Sequence, residues 1–165
     1  MSDAERHQQF ESIVGALASD LFRYAYWLSR DRQLAEDVVQ ETMIRAWKSL
    51  DQLRDASSAK YWLFTIVRRE HARTFERKRL STVDIDTPGM MDESLATPGF
   101  NHDVHAVREA LDKMHNDYAE PLVLQVLLGH SVKEIAQLME LGEGAVLTRL
   151  FRARKKLKDI LDTEH

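Results

Sequence analysis

"SVKEIAQLMELGEGAVLTRLFRARKKL", residues 131–157, holds two short apolar repeats separated by Glu140-Leu141-Gly142-Glu143-Gly144. Ile135, Ala136 and Met139 share one face of the first segment, Leu141 sits in the break, and Val146 and Leu150 share the inner face of the second. Ala136 is small where two helices must cross closely. This spacing predicts a helix-turn-helix, a motif whose second helix enters the DNA major groove by its N-terminal half. That second helix carries six Lys and Arg and no acid between Ala145 and Lys158, in a chain whose net charge is −4. On a helical wheel Thr148, Arg152 and Lys155 point away from the apolar stripe, with Phe151 beside them; Arg149 and Lys156 flank that face within reach of phosphates. A solvated basic helix closing a bundle would carry the same charge, but the two-helix spacing favours DNA. Glu140 occupies the turn position usually given to Gly, where a left-handed backbone costs about 1 kcal/mol. Gly142 stands where Ser or Thr would cap the second helix, a difference of a few tenths of a kcal/mol.

The rest of the chain sets this motif in context. At 165 residues it forms one ordinary domain or two small ones, and 44% hydrophobic residues suffice for buried cores. There is no cysteine, which excludes a disulfide framework and a thiolate metal site. The opening Met-Ser-Asp-Ala-Glu-Arg-His is unlike a secretory signal, and no stretch approaches the roughly 18 apolar residues that would span a bilayer. A soluble cytoplasmic protein without membrane insertion is expected. Charge is unevenly placed: Arg68 to Arg79 holds six Lys/Arg against two Glu, while Ser81 to Asp103 holds five acids and no Lys or Arg. Two basic faces in an acidic chain are implied.

Residues 81–103, "STVDIDTPGMMDESLATPGFNHD", lack a helical period and carry two Pro-Gly turn signals, so they read as a flexible acidic linker between domains at 1–80 and 104–165. Elsewhere the period is helical throughout, and the fold class is all-α. In "DRQLAEDVVQETMIRAWKSL" the stripe is Ala35, Val38, Val39, Thr42, Met43, Ala46 and Leu50, with Asp31 as N-cap. In the next helix it is Ala59, Trp62, Leu63, Ile66 and Val67, capped by Ser57 or Ser58. Upstream, "IVGALASDLFRYAYWLS" supplies one or two helices. Four more are expected at roughly 103–115, 118–129, 131–139 and 143–161, the last with Val146, Leu150, Ala153, Leu157 and Ile160 inward.

His102, Asp103 and His105 have spacing that could meet a metal, but no convincing further ligand accompanies them; neither a metal site nor a cofactor is expected. No phosphate-cradling Gly loop or nucleophile elbow occurs, and Asp112 and Asp117 read as ordinary surface and cap residues. Nothing points to an enzyme.

"DRQLAEDVVQETMIRAWKSLDQLR" followed by "YWLFTIVRREHARTFERKR" resembles the second region of bacterial sigma factors, and "HSVKEIAQLMELGEGAVLTRLFRARKKL" resembles their fourth. With a short acidic linker and no third domain between them, the chain is similar to extracytoplasmic-function sigma factors over about residues 10 to 160. The resemblance implies core RNA polymerase as partner: Asp37, Gln40, Glu41 and Arg45 would face the β′ clamp helices, and the second domain would meet the β flap. It implies that Arg54, Ser57, Ser58, Lys60 and Tyr61 line a pocket at the minus-ten promoter element, with Arg68, Arg69, Arg73, Arg77 and Lys78 along the backbone; Trp62 is read as core. It implies that Gly144, Leu147, Thr148, Phe151 and Arg152 read the minus-thirty-five element, with Arg149, Arg154 and Lys155 beside phosphates. Leu147 stands where relatives carry Lys or Arg and Ala145 where they carry Thr; Leu147 and Phe151, four apart, can also pack together. In relatives the linker threads toward the polymerase active site, which Asp84, Asp86, Asp92 and Glu93 would suit, and an anti-sigma factor commonly holds the protein inactive. A stand-alone helix-turn-helix regulator and a purely helical adaptor remain the alternatives.

Overall fold

In the computed structural model, which describes residues 2–81 and 102–163, every described element is a helix. The helices fall into two units, Met1–Asp92 and Glu93–His165. Residues 82–101, which hold most of the expected linker and its acids Asp84, Asp86, Asp92 and Glu93, lie outside the described residues.

In the first unit the segment upstream of Asp31 is one helix, α1 (Asp3–Ser29), of 27 residues. A capping box starts it: the Ser2 hydroxyl accepts the Glu5 N–H at 3.2 Å, and the Glu5 carboxylate accepts the Ser2 N–H at 3.4 Å. The helix stops at Arg30, whose backbone is left-handed at φ 57° and whose N–H reaches the Tyr26 carbonyl at 2.7 Å. Asp31 then caps α2 (Arg32–Lys48) as expected, accepting the Leu34 N–H at 3.2 Å. Leu34, Ala35, Val38, Thr42 and Ala46 form its buried stripe, with Val39 and Met43 half-buried at the edge. Thr42 is tolerated there because its hydroxyl donates to the Val38 carbonyl at 2.7 Å.

The expected Ser57 or Ser58 cap of α3 (Ala59–Ser81) is replaced by Asp55. A turn of 3-10 helix at Ala56–Ser58 moves the start upstream, and the Asp55 carboxylate accepts both the Ser57 N–H, at 3.0 Å, and its hydroxyl, at 2.7 Å. An ionised oxygen is the stronger acceptor. Those Ser57 bonds, hydroxyl first, hold the exposed Asp55 carboxyl below its usual range. Ala59, Leu63, Phe64 and Val67 are buried, with Phe64 against Tyr24 at 5.3 Å between centroids, while Trp62 and Ile66 are half-buried. Each of the three helices packs on the other two.

The second unit contains α4 (His102–Lys113), α5 (Asn116–Val126), α6 (Val132–Met139) and α7 (Glu143–Thr163), the four helices expected, with ends shifted by a few residues. The cap of α5 is His115 rather than Asp117: its Nδ1 accepts the Asp117 N–H at 3.2 Å. At the exit of α5, Leu127 and Leu128 donate to the Val123 carbonyl and His130 to that of Leu124. That wrap needs a left-handed residue, supplied by Gly129 at φ 71°. A second capping box, Ser131 with Glu134 at 3.1 Å in both directions, starts α6. Burial pushes the Glu134 carboxyl up, but the Ser131 N–H and hydroxyl and the neighbouring His130 together hold it below its usual value. Helix α6 ends on Glu140, left-handed at φ 56° and ψ 47°, in the turn position usually given to Gly. Helix α7 packs on α4, α5 and α6 through Val146, Leu150 and Ala153, with Leu157 and Ile160 half-buried. Among the described residues no helix is long and apolar enough to cross a membrane.

The αL strain at Glu140 makes a testable prediction. Glu140→Gly should stabilise the second unit by about 0.5 kcal/mol, less than the full αL cost because Gly also loosens the unfolded chain. Gly142→Ser should add a few tenths of a kcal/mol, since a Cβ there meets nothing within 4 Å. The gain should be seen in urea unfolding followed by circular dichroism. The Trp fluorescence transition should not move, because Trp27, Trp47 and Trp62 all lie in the first unit.

Candidate functional site

The stripe that anchors α7 leaves its opposite side bare. Gly144, Leu147, Thr148, Phe151, Arg152 and Lys155 are all exposed, Leu147 at 56% and Phe151 at 73%. The two apolar side chains therefore stand in water beside the cations rather than in the core. The Thr148 hydroxyl donates to the Gly144 carbonyl at 3.0 Å. The basic residues divide into two groups. Arg149 is half-buried with its guanidinium 3.9 Å from Asp117, Arg154 donates to the Gln125 side chain, and the Lys156 ammonium lies 5.1 Å over the Tyr118 ring. Among the described residues Arg152 and Lys155 make no ion pair, so their charge is fully available to an outside anion.

On α2, Asp37 and Gln40 are exposed and Glu41 is half-buried. Asp37 accepts from the Gln33 amide at 3.1 Å, and Glu41 pairs with Arg45 at 3.4 Å. Arg45 is only partly outward: its Nε lies 2.6 Å from the Glu70 carboxylate on α3. Ile44 and Trp47 add exposed apolar area to this face, 43% and 36%. Their position off the buried stripe was the available sequence signal for them. Trp47 is braced from the start of α1, by Phe10 at 5.3 Å and His7 at 5.8 Å edge-on, and by the Arg6 guanidinium at 5.1 Å from the ring centroid. Arg6 also donates to the Trp47 carbonyl at 2.9 Å and lies 3.6 Å from Asp51. It thereby satisfies a terminal carbonyl of α2 from 41 residues away and tethers the segment that follows.

That segment carries the third surface. Arg54, Ser57 and Ser58 are exposed, and Lys60 and Tyr61 are half-buried in the first turn of α3. Arg69, Arg73 and Arg77, four apart, line one exposed face over about 12 Å of helix, while Arg68 is half-buried beside it. Arg73 is also 3.2 Å from Glu70. The Lys78 side chain lies outside the described residues. Glu70 is a buried acid that helical periodicity could have flagged, because it follows Leu63 and Val67 at i+7 and i+3 on the apolar stripe. Arg6 left no local signal, since its partners are remote in sequence.

Among the described residues no group of three or more His, Asp or Glu is placed to hold a metal. His105 pairs with Glu109 at 3.0 Å, and the side chains of His102 and Asp103 lie outside the described residues.

The family Sigma-70 region 2 matches residues 13–80, and Sigma-70, region 4 matches residues 105–157. The chain is 32% identical over 154 residues to the ECF RNA polymerase sigma factor EcfG of Rhodopseudomonas palustris, covering 92% of this chain and 83% of that one. It is 26% identical over 160 residues to the ECF RNA polymerase sigma factor SigX of Bacillus subtilis, covering 92% and 82%. Among solved structures it is similar to the sigma factor RpoE in complex with the anti-sigma factor NepR from Bartonella quintana. That match has a TM-score of 0.77 at 27% identity and covers 94% of this chain and 98% of the other. CnrH in complex with the cytosolic domain of CnrY gives a TM-score of 0.67 at 26% identity, over 94% and 89%.

Arg6→Ala should lower the stability of the first unit by about 1–2 kcal/mol, through the lost charged hydrogen bond and helix-end contact. Trp fluorescence should report both the earlier urea midpoint and a redder native spectrum as Trp47 loses its cover. An unchanged midpoint would remove the bracing role.

Proposed function

The chain belongs to the ECF RNA polymerase sigma factors, and from that premise we propose that it binds core RNA polymerase, selects a promoter and helps open it. The single observation that carries this reading is the pairing, in order, of a three-helix unit with an exposed mixed-charge helix and a helix-turn-helix unit whose second helix faces outward with its cations. On α2, Asp37, Gln40, Glu41 and Arg45 meet the β′ clamp helices, where mixed charge favours a specific partner over a merely sticky one. Ile44 and Trp47 supply apolar area to the same contact. In the second unit the exposed Val126 and Leu127 offer apolar surface to the β flap.

Promoter opening requires unstacked bases to be held beside a cationic track. Arg54, Ser57, Ser58, Lys60 and Tyr61 form the pocket in this reading, and Arg68, Arg69, Arg73 and Arg77 follow the strand. On α7, Gly144, Leu147, Thr148, Phe151 and Arg152 face base edges of the minus-thirty-five element, while Arg149, Arg154 and Lys155 approach phosphates. Leu147 and Phe151 bring apolar contacts to a groove where a thymine methyl is the matching group. The domains run 1–80 and 104–165, joined by the acidic linker 81–103. The protein acts in the cytoplasm as an initiation factor and not as an enzyme. The similarity to a sigma factor solved in complex with an anti-sigma factor supports control by an anti-sigma factor.

Run-off transcription with core polymerase and genomic promoter fragments tests the reading: promoter-specific transcripts are expected only when the protein is added. Tight binding to an operator without polymerase, and no association with core, would instead establish a stand-alone regulator. With the holoenzyme, Lys155→Ala should reduce the log–log salt slope of promoter binding by about 0.9, the share of one phosphate contact. Arg149→Ala and Arg154→Ala should each lower it less, because their charges already have partners within the unit.

A further inference from the structure

Glu70 is the least expected charge in the molecule. Its side chain is 2% exposed, and one oxygen, Oε1, serves two guanidiniums: Arg45 on α2 at 2.6 Å and Arg73 on α3 at 3.2 Å. The other oxygen, Oε2, is buried with no hydrogen-bond partner. A buried carboxylate left half-satisfied is a poor stabiliser compared with an apolar side chain at the same stripe position. The two arginines are 45% and 56% exposed, so either can swing outward, whereas Glu70 cannot.

We propose that Glu70 is a positioning residue that governs how freely Arg73 meets a nucleic-acid phosphate, with Arg45 setting its grip. The proposal rests on the sigma-factor reading for its purpose but not for its test. Two cations on one oxygen repel each other and share its field. While Arg45 occupies Oε1, Arg73 is held loosely and is available to DNA. When Arg45 is absent or drawn off, the buried carboxylate keeps Arg73 and holds it more firmly. Arg45 lies on the face assigned to polymerase and Arg73 on the face assigned to the minus-ten strand, so a single buried acid links the two surfaces. Glu41, at 3.4 Å from Arg45, is the other acid that competes for it.

The experiment uses the full chain, isotopically labelled at arginine, titrated with an oligothymidylate while the Arg73 Nε–Hε resonance is followed by NMR. Arg45→Ala should weaken oligonucleotide binding as seen at Arg73 by about fivefold, within the range of couplings between contacting charges. Arg45→Lys should restore most of it. Glu70→Gln should strengthen binding at Arg73 and abolish the effect of Arg45→Ala. An Arg45→Ala effect of equal size with and without Glu70, no effect at all, or an Arg73 signal indifferent to millimolar oligonucleotide would each overturn the proposal. A purely architectural Glu70 would alter the unfolding midpoint while leaving Arg73's affinity unchanged, which also overturns it. If Glu70→Gln fails to fold, Glu70→Met takes its place, because an apolar side chain suits the same buried stripe position. No polymerase takes part, so failure of run-off transcription and failure here are separate results.

Discussion

One buried stripe fixes which side of α7 faces outward. Helix α7 joins its unit through Val146, Leu150 and Ala153, packed on α4, α5 and α6 together. A helix fixed along one stripe has no choice about the other side: it must face water, and its chemistry is then free to be chosen for a ligand. Thr148, Phe151, Arg152 and Lys155 occupy that side. The stripe works only if α6 turns sharply into α7, and the chain accepts a left-handed glutamate at Glu140 to make that turn. Asp117, Gln125 and Tyr118 of α5 then hold the flanking cations Arg149, Arg154 and Lys156 against the unit. Part of the basic surface is thereby fixed in position before any DNA arrives, which lowers the ordering cost of binding.

The first unit follows the same logic with two outward faces instead of one. Helices α2 and α3 bury complementary stripes and leave a mixed-charge surface on the first and a basic one on the second. They are joined across their seam by Glu70, and the far end of α2 is tied by Arg6 to the segment that leads into α3. Under the proposed function, polymerase docking on α2 and strand capture on α3 share one small core, so a three-helix unit serves two macromolecules without a large interface of its own.

How far the sequence foretold this depends on range. The all-α class, the α6–α7 turn and the Asp31 cap were legible because each depends on residues within one or two turns. The α3 cap was not: the 3-10 turn at Ala56–Ser58 shifted it to Asp55, and no periodicity announces such a turn. His115 took the α5 cap because its ring nitrogen stands in for the usual oxygen acceptor. Leu34 and Phe64, absent from the expected stripes, are buried along with them, because a three-helix bundle encloses a wider arc of each helix than a two-helix contact does. The internal partners of Arg45, Arg73, Arg149 and Arg154 were legible only once the helices were assembled. A wheel can place a cation outward, but it cannot tell whether an acid or amide from another helix already holds it.

Under the proposed function, Tyr61 and Phe151 serve different DNA elements in different states of the strands. A photo-crosslinking phenylalanine analogue placed at each position, in separate holoenzymes on one promoter, tests this most directly. Position 151 should label the upstream duplex both before and after opening, and position 61 a single downstream strand only after opening. Labelling of one common segment from both positions, or of polymerase alone from position 151, would contradict it.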